Sequence, residues 1–173
     1  MRVLNVHERE LSASQEQAGS LINSLASRED RLWPKHSWPR MQLDRPLGVG
    51  ATGGHGPVRY FVEAFVPSQS VTFRFTGPRG FDGYHRYDIV HDRDQHFLLR
   101  HTLQMTAKGP ALVSWPLVFR PLHDALIADS LATAEASLGR PPQVKRWSLW
   151  VRVLRNLVGR GRARAQVTPS RSL

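Results

Sequence analysis

Between Arg2 and Leu11, in RVLNVHEREL, β-forming residues alternate with charged ones, which predicts a strand with one wet face. Ser12 or Ser14 can then cap a helix over Gln15–Ala26, where Ala18, Leu21, Ile22, Leu25 and Ala26 recur at helical spacing and Gly19 lowers the propensity. Pro34 and Pro39 stop any helix near Trp33 and Trp38, because proline lacks the backbone donor and clashes with the turn before it. The stretch LGVGATGGHGP is too rich in glycine for an ordinary core element. Four strands are then expected, at 57–66, 70–76, 84–91 and 96–107, separated by the turn-forming strings PSQ, GPRGFDG and DRDQ. Such a run predicts an antiparallel meander. A helix over Leu122–Leu138 follows from Leu122, Leu126, Ile127, Leu131, Ala134 and Leu138, with Pro116 and Pro121 leaving its start open.

Gly139-Arg140-Pro141-Pro142 ends that helix, and a second amphipathic segment begins near Gln143. Its apolar stripe is Val144, Trp147, Trp150, Val151, Leu154, Leu157 and Val158; Lys145, Ser148, Arg152, Arg155 and Asn156 lie mostly opposite. The last residues, GRGRARAQVTPSRSL, read as disordered. The pattern divides the chain into a domain at 1–138, a basic helical extension at 139–158 and a basic tail at 159–173.

Strand alternation sorts side chains into two faces. Phe97, Leu99, His101, Leu103 and Met105 share one row, and His85, Tyr87 and Ile89 another. If both rows face inward across a hairpin around 91–95, His85 stands opposite His101 or one diagonal step away. Two imidazoles in an apolar space would have protonation suppressed, which suits acid–base work near neutral pH. Either histidine alone reads sooner as a core residue bonded to a carbonyl or a tyrosine, whereas for the opposed pair the two readings stand even. Val58, Tyr60, Val62 and Val66 form a further row, as do Val71, Phe73 and Phe75, and Tyr60 would offer the cavity a hydroxyl. Arg59 and Arg74 have outward parity and should pair with Glu63, Asp88 or a nearby loop. His123 is a candidate for the cavity mouth, and Asp124 for the favourable end of the helix dipole. His55 reads either as a ligand-facing loop residue or as part of a rigid turn, and Trp33 with Trp38 as a plug or a lid.

Composition narrows the chemistry. The 173 residues carry a formal net charge of +10, which by itself suggests nucleic acid. Nine basic residues and no acidic one lie in 139–173, however, leaving 15 basic against 14 acidic in 1–138. No specific nucleic-acid binding is expected from so balanced a body. Without cysteine there is no disulfide scaffold, thiolate zinc site or cysteine nucleophile. The eight histidines show no metal-ligand spacing, and no Walker loop or Gly-x-Ser-x-Gly elbow is present, so neither metal nor cofactor is expected. The start of the chain lacks a signal-peptide run and no segment is apolar enough to span a bilayer, so a cytoplasmic protein is expected.

The segments WPKHSWPRMQLDRPLGVGATGGHGPVRY, FRFTGPRGFDGYHRYDI and WPLVFRPLHDALIADSL resemble a bacterial branch of the START-like superfamily, labelled SRPBCC or polyketide cyclase/dehydrase and lipid transport-like. The resemblance covers about 1–138. It implies an α+β helix-grip fold, a curved antiparallel sheet wrapped around the long C-terminal helix, with a cavity for a hydrophobic small molecule or lipid between them. Tyr60, Phe73, Phe75, His85, Tyr87, Leu99, His101, Met105 and His123 are the expected lining. The alternative it implies is a cyclase, aromatase or dehydratase with His85, His101 and Tyr60 as acid–base and polarising groups. The extension adds a further choice. Trp147 and Trp150 with Arg152 and Arg155 have the composition of an interfacial helix docking at the inner face of an anionic membrane, or else the stripe packs on its own domain.

Overall fold

In a computed structural model, residues 1–91 and 97–165 are described, with side chains as far as Leu157. The expected turn at 91–95 and the tail from 166 fall wholly or largely outside the described residues. The chain opens with strand β1 (Arg2–Leu11) and helix α1 (Gln15–Asn23). Ser14, of the two candidate caps, takes the role: its hydroxyl accepts from the Gln17 backbone at 3.2 Å, and the Gln17 side chain accepts from the Ser14 backbone at 3.0 Å. The helix ends before Ala26, whose φ of 62° no α-helix admits. Asp30 captures the N–H of Ala26 instead, together with those of Leu32 and Trp33. Gly19, read in sequence as a weakness, is a point of close approach, since a Cβ there would lie 2.3 Å from the Ser68 carbonyl oxygen.

Strands β2 (Gln42–Leu43), β3 (Thr52–His55), β4 (Val58–Val66), β5 (Ser70–Gly77), β6 (Phe81–His91) and β7 (Phe97–Ala107) complete one antiparallel sheet in the order β1-β7-β6-β5-β4-β3-β2. The glycine-rich stretch is therefore a sheet element after all. Gly53 and Gly54 let β3 lie against its neighbours where a Cβ would come within 1.9 Å of the Gln42 oxygen and 2.0 Å of the Val58 oxygen. In β4 the register shifts between Val62 and Ala64, so the strand changes faces: Phe65 turns inward and Val66, expected inside, is exposed. Arg74 pairs with Glu63 as its parity predicted, while Arg59 bonds the carbonyls of Gly56 and Val58.

After the sheet the chain forms helix α2 (Ala111–Ser114), a π-helical turn (Trp115–Phe119) and helix α3 (Arg120–Ser137) as one continuous rod. It starts eleven residues before the expected Leu122. The prolines are accommodated by widening the turn: Arg120 N–H donates five residues back to the Trp115 carbonyl, and Pro110, Pro116 and Pro121 fall at the starts of segments. Asp124 consequently lies within a helix and is not near its N-terminus. Helix α4 (Leu149–Ala165) begins later than expected and runs past Val158 into the stretch read as disordered. No helix among the described residues is long and apolar enough to cross a membrane.

Candidate functional site: a histidine-floored cavity

A cavity of about 590 Å³ opens between the sheet and α3. The sheet contributes Phe75, Phe81, His85, His101 and Leu103, and the helical rod Trp115, Phe119, Leu122, His123 and Leu126. The proline loop adds Trp33 and Trp38, and the glycine strand His55. Both tryptophans thus form walls: Trp33 donates its indole N–H to the Pro39 carbonyl at 2.9 Å, and Trp38 donates to Asp129 Oδ2 at 2.7 Å.

Three histidines of the sheet's inner face, His7, His85 and His101, gather against His123 of α3. His7 of β1 is the register partner of His101 on β7, which is paired with Tyr87 on β6; His85, paired with Leu103, stands one diagonal step from His101. The ring of His101 is 5.0 Å from that of His123, which is 5.9 Å from that of His7. His101 Nε2 and His85 Nδ1 are 3.4 Å apart, at the weak end of hydrogen bonding. One N–H can point at the other bare nitrogen, which commits one nitrogen on each ring. The remaining atoms, His85 Nε2 and His101 Nδ1, are buried without a partner among the described residues, as are both ring nitrogens of His123. His123 Nδ1 approaches Asp124 Oδ1 only to 3.6 Å, beyond a hydrogen bond.

Burial sets the charge states. It drives the pKa values of His85 and His101 well below the ordinary imidazole range, and neighbouring histidines add to the effect. His123 is lowered by burial against the opposing pull of Asp124. His55 is pushed down to about 3, mainly by burial. The cavity floor is therefore neutral at physiological pH, with nitrogen atoms left over for hydrogen bonds. Burial pushes Asp124 upward, but His123, His7 and Asn5 around it hold its pKa below the usual carboxylate range.

Of the expected lining residues, Phe75, His85, His101 and His123 face the cavity among the described residues. Tyr60, Phe73, Tyr87, Leu99 and Met105 do not. The Tyr60 hydroxyl is committed to His55 Nδ1 at 3.1 Å, so it is not the free polarising group expected. Phe73 stacks behind His85 at 4.9 Å, and Tyr87 bonds Ser130 Oγ at 2.9 Å. Leu99 packs in the main core with Leu21 and Leu131, and Met105 in a second cluster with Ala107 and Ala111.

Of the two arrangements expected for the C-terminal segment, contacts with its own domain are made by part of it. Trp147 donates to Asp129 Oδ2 at 2.9 Å, and Trp150, half exposed, donates to the Leu117 carbonyl at 2.8 Å. Val151 and Leu154 are buried. Arg155 packs against two indoles, its guanidinium carbon 4.4 Å from the ring centre of Trp38 and 3.9 Å from that of Trp147, and it lines the cavity. Arg152 remains exposed. Trp147, Val151 and Leu154 of the stripe thus face their own domain, while Val144, Trp150 and Leu157 are exposed.

Three metal-ligating side chains do come together, unseen in sequence because β1 and α3 supply them separately. Ligand atoms of His7, His123 and Asp124 lie within 4.8 Å of one another. His7 Nε2 and Asn5 Nδ2 already bond Asp124 Oδ1 at 3.2 and 2.9 Å, and the Arg120 guanidinium is 3.8 Å from the other oxygen. A cation there would meet that positive charge, so the trio fits a polar network better than a metal site.

No protein-family model matches the chain, and no curated protein matches it. Solved structures do. A solution structure from Thermobifida fusca aligns at a TM-score of 0.60 and 16% identity, over 82% of this chain and 99% of the other. A Thalictrum norcoclaurine synthase point mutant in complex with a transition-state analogue aligns at 0.58 and 15%, over 80% and 96%. The chain has the START-like fold. StfQ, a di-domain ARO/CYC protein of the steffimycin biosynthetic pathway, aligns at 0.56 and 14%, over 78% of this chain and 50% of its own. The α+β helix-grip architecture expected from the sequence is the one observed.

Proposed function

We propose that the protein binds an apolar, ring-containing small molecule with oxygen substituents in the cavity, and that His85, His101 and His123 hydrogen-bond those substituents. The supporting observation is that His85, His101 and His123, each with a buried ring nitrogen that has no partner among the described residues, line a cavity walled otherwise mainly by carbon. An unmet buried polar group costs about 1–3 kcal/mol, a cost that a ligand oxygen would remove. Rings of Trp33, Trp38, Phe75, Phe81, Trp115 and Phe119 suit flat, polarisable partners. A norcoclaurine synthase point mutant of the same fold is known in complex with a transition-state analogue, which supports ligand binding in this architecture. Titration with emodin, a hydroxylated anthraquinone, should quench tryptophan fluorescence saturably, and His101→Phe should weaken binding about tenfold, the worth of one hydrogen bond. Unsaturable quenching, or equal affinity in the variant, refutes the reading.

Access to the cavity is proposed to come from an anionic membrane surface. The outward side of α4 exposes Leu149, Val153 and Leu157, and the neighbouring rod exposes Leu112, Val113 and Leu117, to which Trp150 is bonded. Lys145, Arg146 and Arg152 of the same C-terminal segment are exposed, and each basic group near such a surface contributes about 1 kcal/mol. The protein should sediment with vesicles containing phosphatidylglycerol and less so after Leu149→Asp with Val153→Asp; no sedimentation with them overturns the docking.

Acid–base turnover of a polyketide-like substrate is the second reading, favoured by the 3.4 Å contact between His85 and His101. Through it one imidazole can pass a proton to the other. Turnover of a cognate substrate should then be lost in both His85→Phe and His101→Phe, and its survival in either excludes a relay.

A further inference from the structure

Arg155 is the one residue with a permanent charge among the described residues lining the cavity. Its guanidinium packs in the corner made by the edge-to-face rings of Trp38 and Trp147, which restricts its orientation. Nη2 donates to the Ser37 backbone carbonyl, while Nη1 is shut away from solvent and has no acceptor among the described residues. Asp129 is the carboxylate that acts on Arg155 electrostatically, but it forms no ion pair with it: Asp129 Oδ2 is already shared by two indole N–H groups. A charged donor is thus restricted in orientation, half buried and incompletely satisfied at the rim of an otherwise neutral, apolar space.

We infer that Arg155 is the anion-binding group of this cavity and that the natural occupant is an aromatic acid, a ring system bearing a carboxylate. This rests on the cavity-binding reading above and deepens it. A single negative charge is favoured over a dianion such as a phosphate monoester, because one guanidinium lines the space, one of its nitrogens is already bonded to Ser37, and Asp129 acts on it electrostatically. The imidazole floor then meets the neutral oxygens of the ligand, and Arg155 its acidic end. Specificity for an acid over its ester follows, since the ester leaves the guanidinium unpaired.

The test uses two probes of one shape, 1-pyrenebutyrate and methyl 1-pyrenebutyrate, titrated into the full-length protein at pH 7.5 with tryptophan-to-pyrene energy transfer as the signal. The acid should bind at least about tenfold tighter than the ester. Arg155→Gln should weaken the acid about tenfold and the ester less than twofold, and Arg155→Lys should keep part of the preference. Equal binding of acid and ester by the unmodified protein overturns the inference while leaving the cavity reading intact. Equal weakening of both probes by Arg155→Gln also overturns it, because that marks a merely structural contact with the two indoles. If neither probe binds, the cavity reading fails and this inference with it.

Discussion

Trp38 and Trp147 meet edge to face with ring centres 5.8 Å apart, and both give their indole N–H to the same oxygen of Asp129. One carboxylate on α3 therefore joins the proline loop to the C-terminal segment. Asp129→Ala should cost about 3 kcal/mol in chemical denaturation, because two indole donors lose a charged acceptor. Trypsin should also cleave after Arg146 and Arg152 faster than in the unmodified protein. Asp129→Asn, which keeps an oxygen in place, should cost about 1 kcal/mol.

Much of this arrangement was legible in sequence, and its limits have identifiable causes. Parity placed Phe73, Phe75, His85 and His101 on the inner face because β5, β6 and β7 pair without interruption over those positions. It misplaced Val66 because a register shift in β4 has no residue signature in VRYFVEAFV. Composition dismissed the glycine stretch, yet strand pairing needs only backbone, and here it needs the lack of side chains. Which inward residues border empty space could not be read from period two: Phe75 borders it, while Phe73, two residues earlier, packs behind His85. Periodicity likewise found the tail's stripe but not the surface it meets.

Acid should destabilise the protein early. The pKa values of His55, His85, His101 and His123 are lower folded than unfolded, so the unfolded chain binds more protons once pH falls below about 6.5. The stability they confer is complete above that pH and is lost progressively below it, at about 2 kcal/mol per buried imidazole by pH 5. Melting temperatures should hold level between pH 8 and 7 and drop steeply from pH 6.5 to 5. A flat profile over the lower range would contradict neutral burial.

Unpartnered histidines cost the empty protein stability. His123→Leu removes two unmet nitrogens and adds apolar contact with Trp115 and Leu126, so the ligand-free variant should melt a few degrees higher. Emodin affinity should fall at the same time. A lower melting temperature would show that His123 is satisfied in solution.

Strand β3 places His55 on the cavity. Gly53→Ala would set a methyl 1.9 Å from the Gln42 oxygen, which is backbone and cannot swing aside. The substitution should cost more than about 2 kcal/mol. It should also disturb the 3.1 Å bond between His55 and Tyr60, visible as a shifted His55 imidazole resonance in NMR spectra.

Because Arg155 belongs to the last helix and also to the cavity wall, occupancy and tail attachment are thermodynamically linked. Any molecule that gains free energy from Arg155 in the docked tail stabilises docking by the same amount, since coupling between two equilibria is reciprocal. The C-terminus is thus a built-in reporter, and its protection from protease or from hydrogen exchange measures how full the interior is.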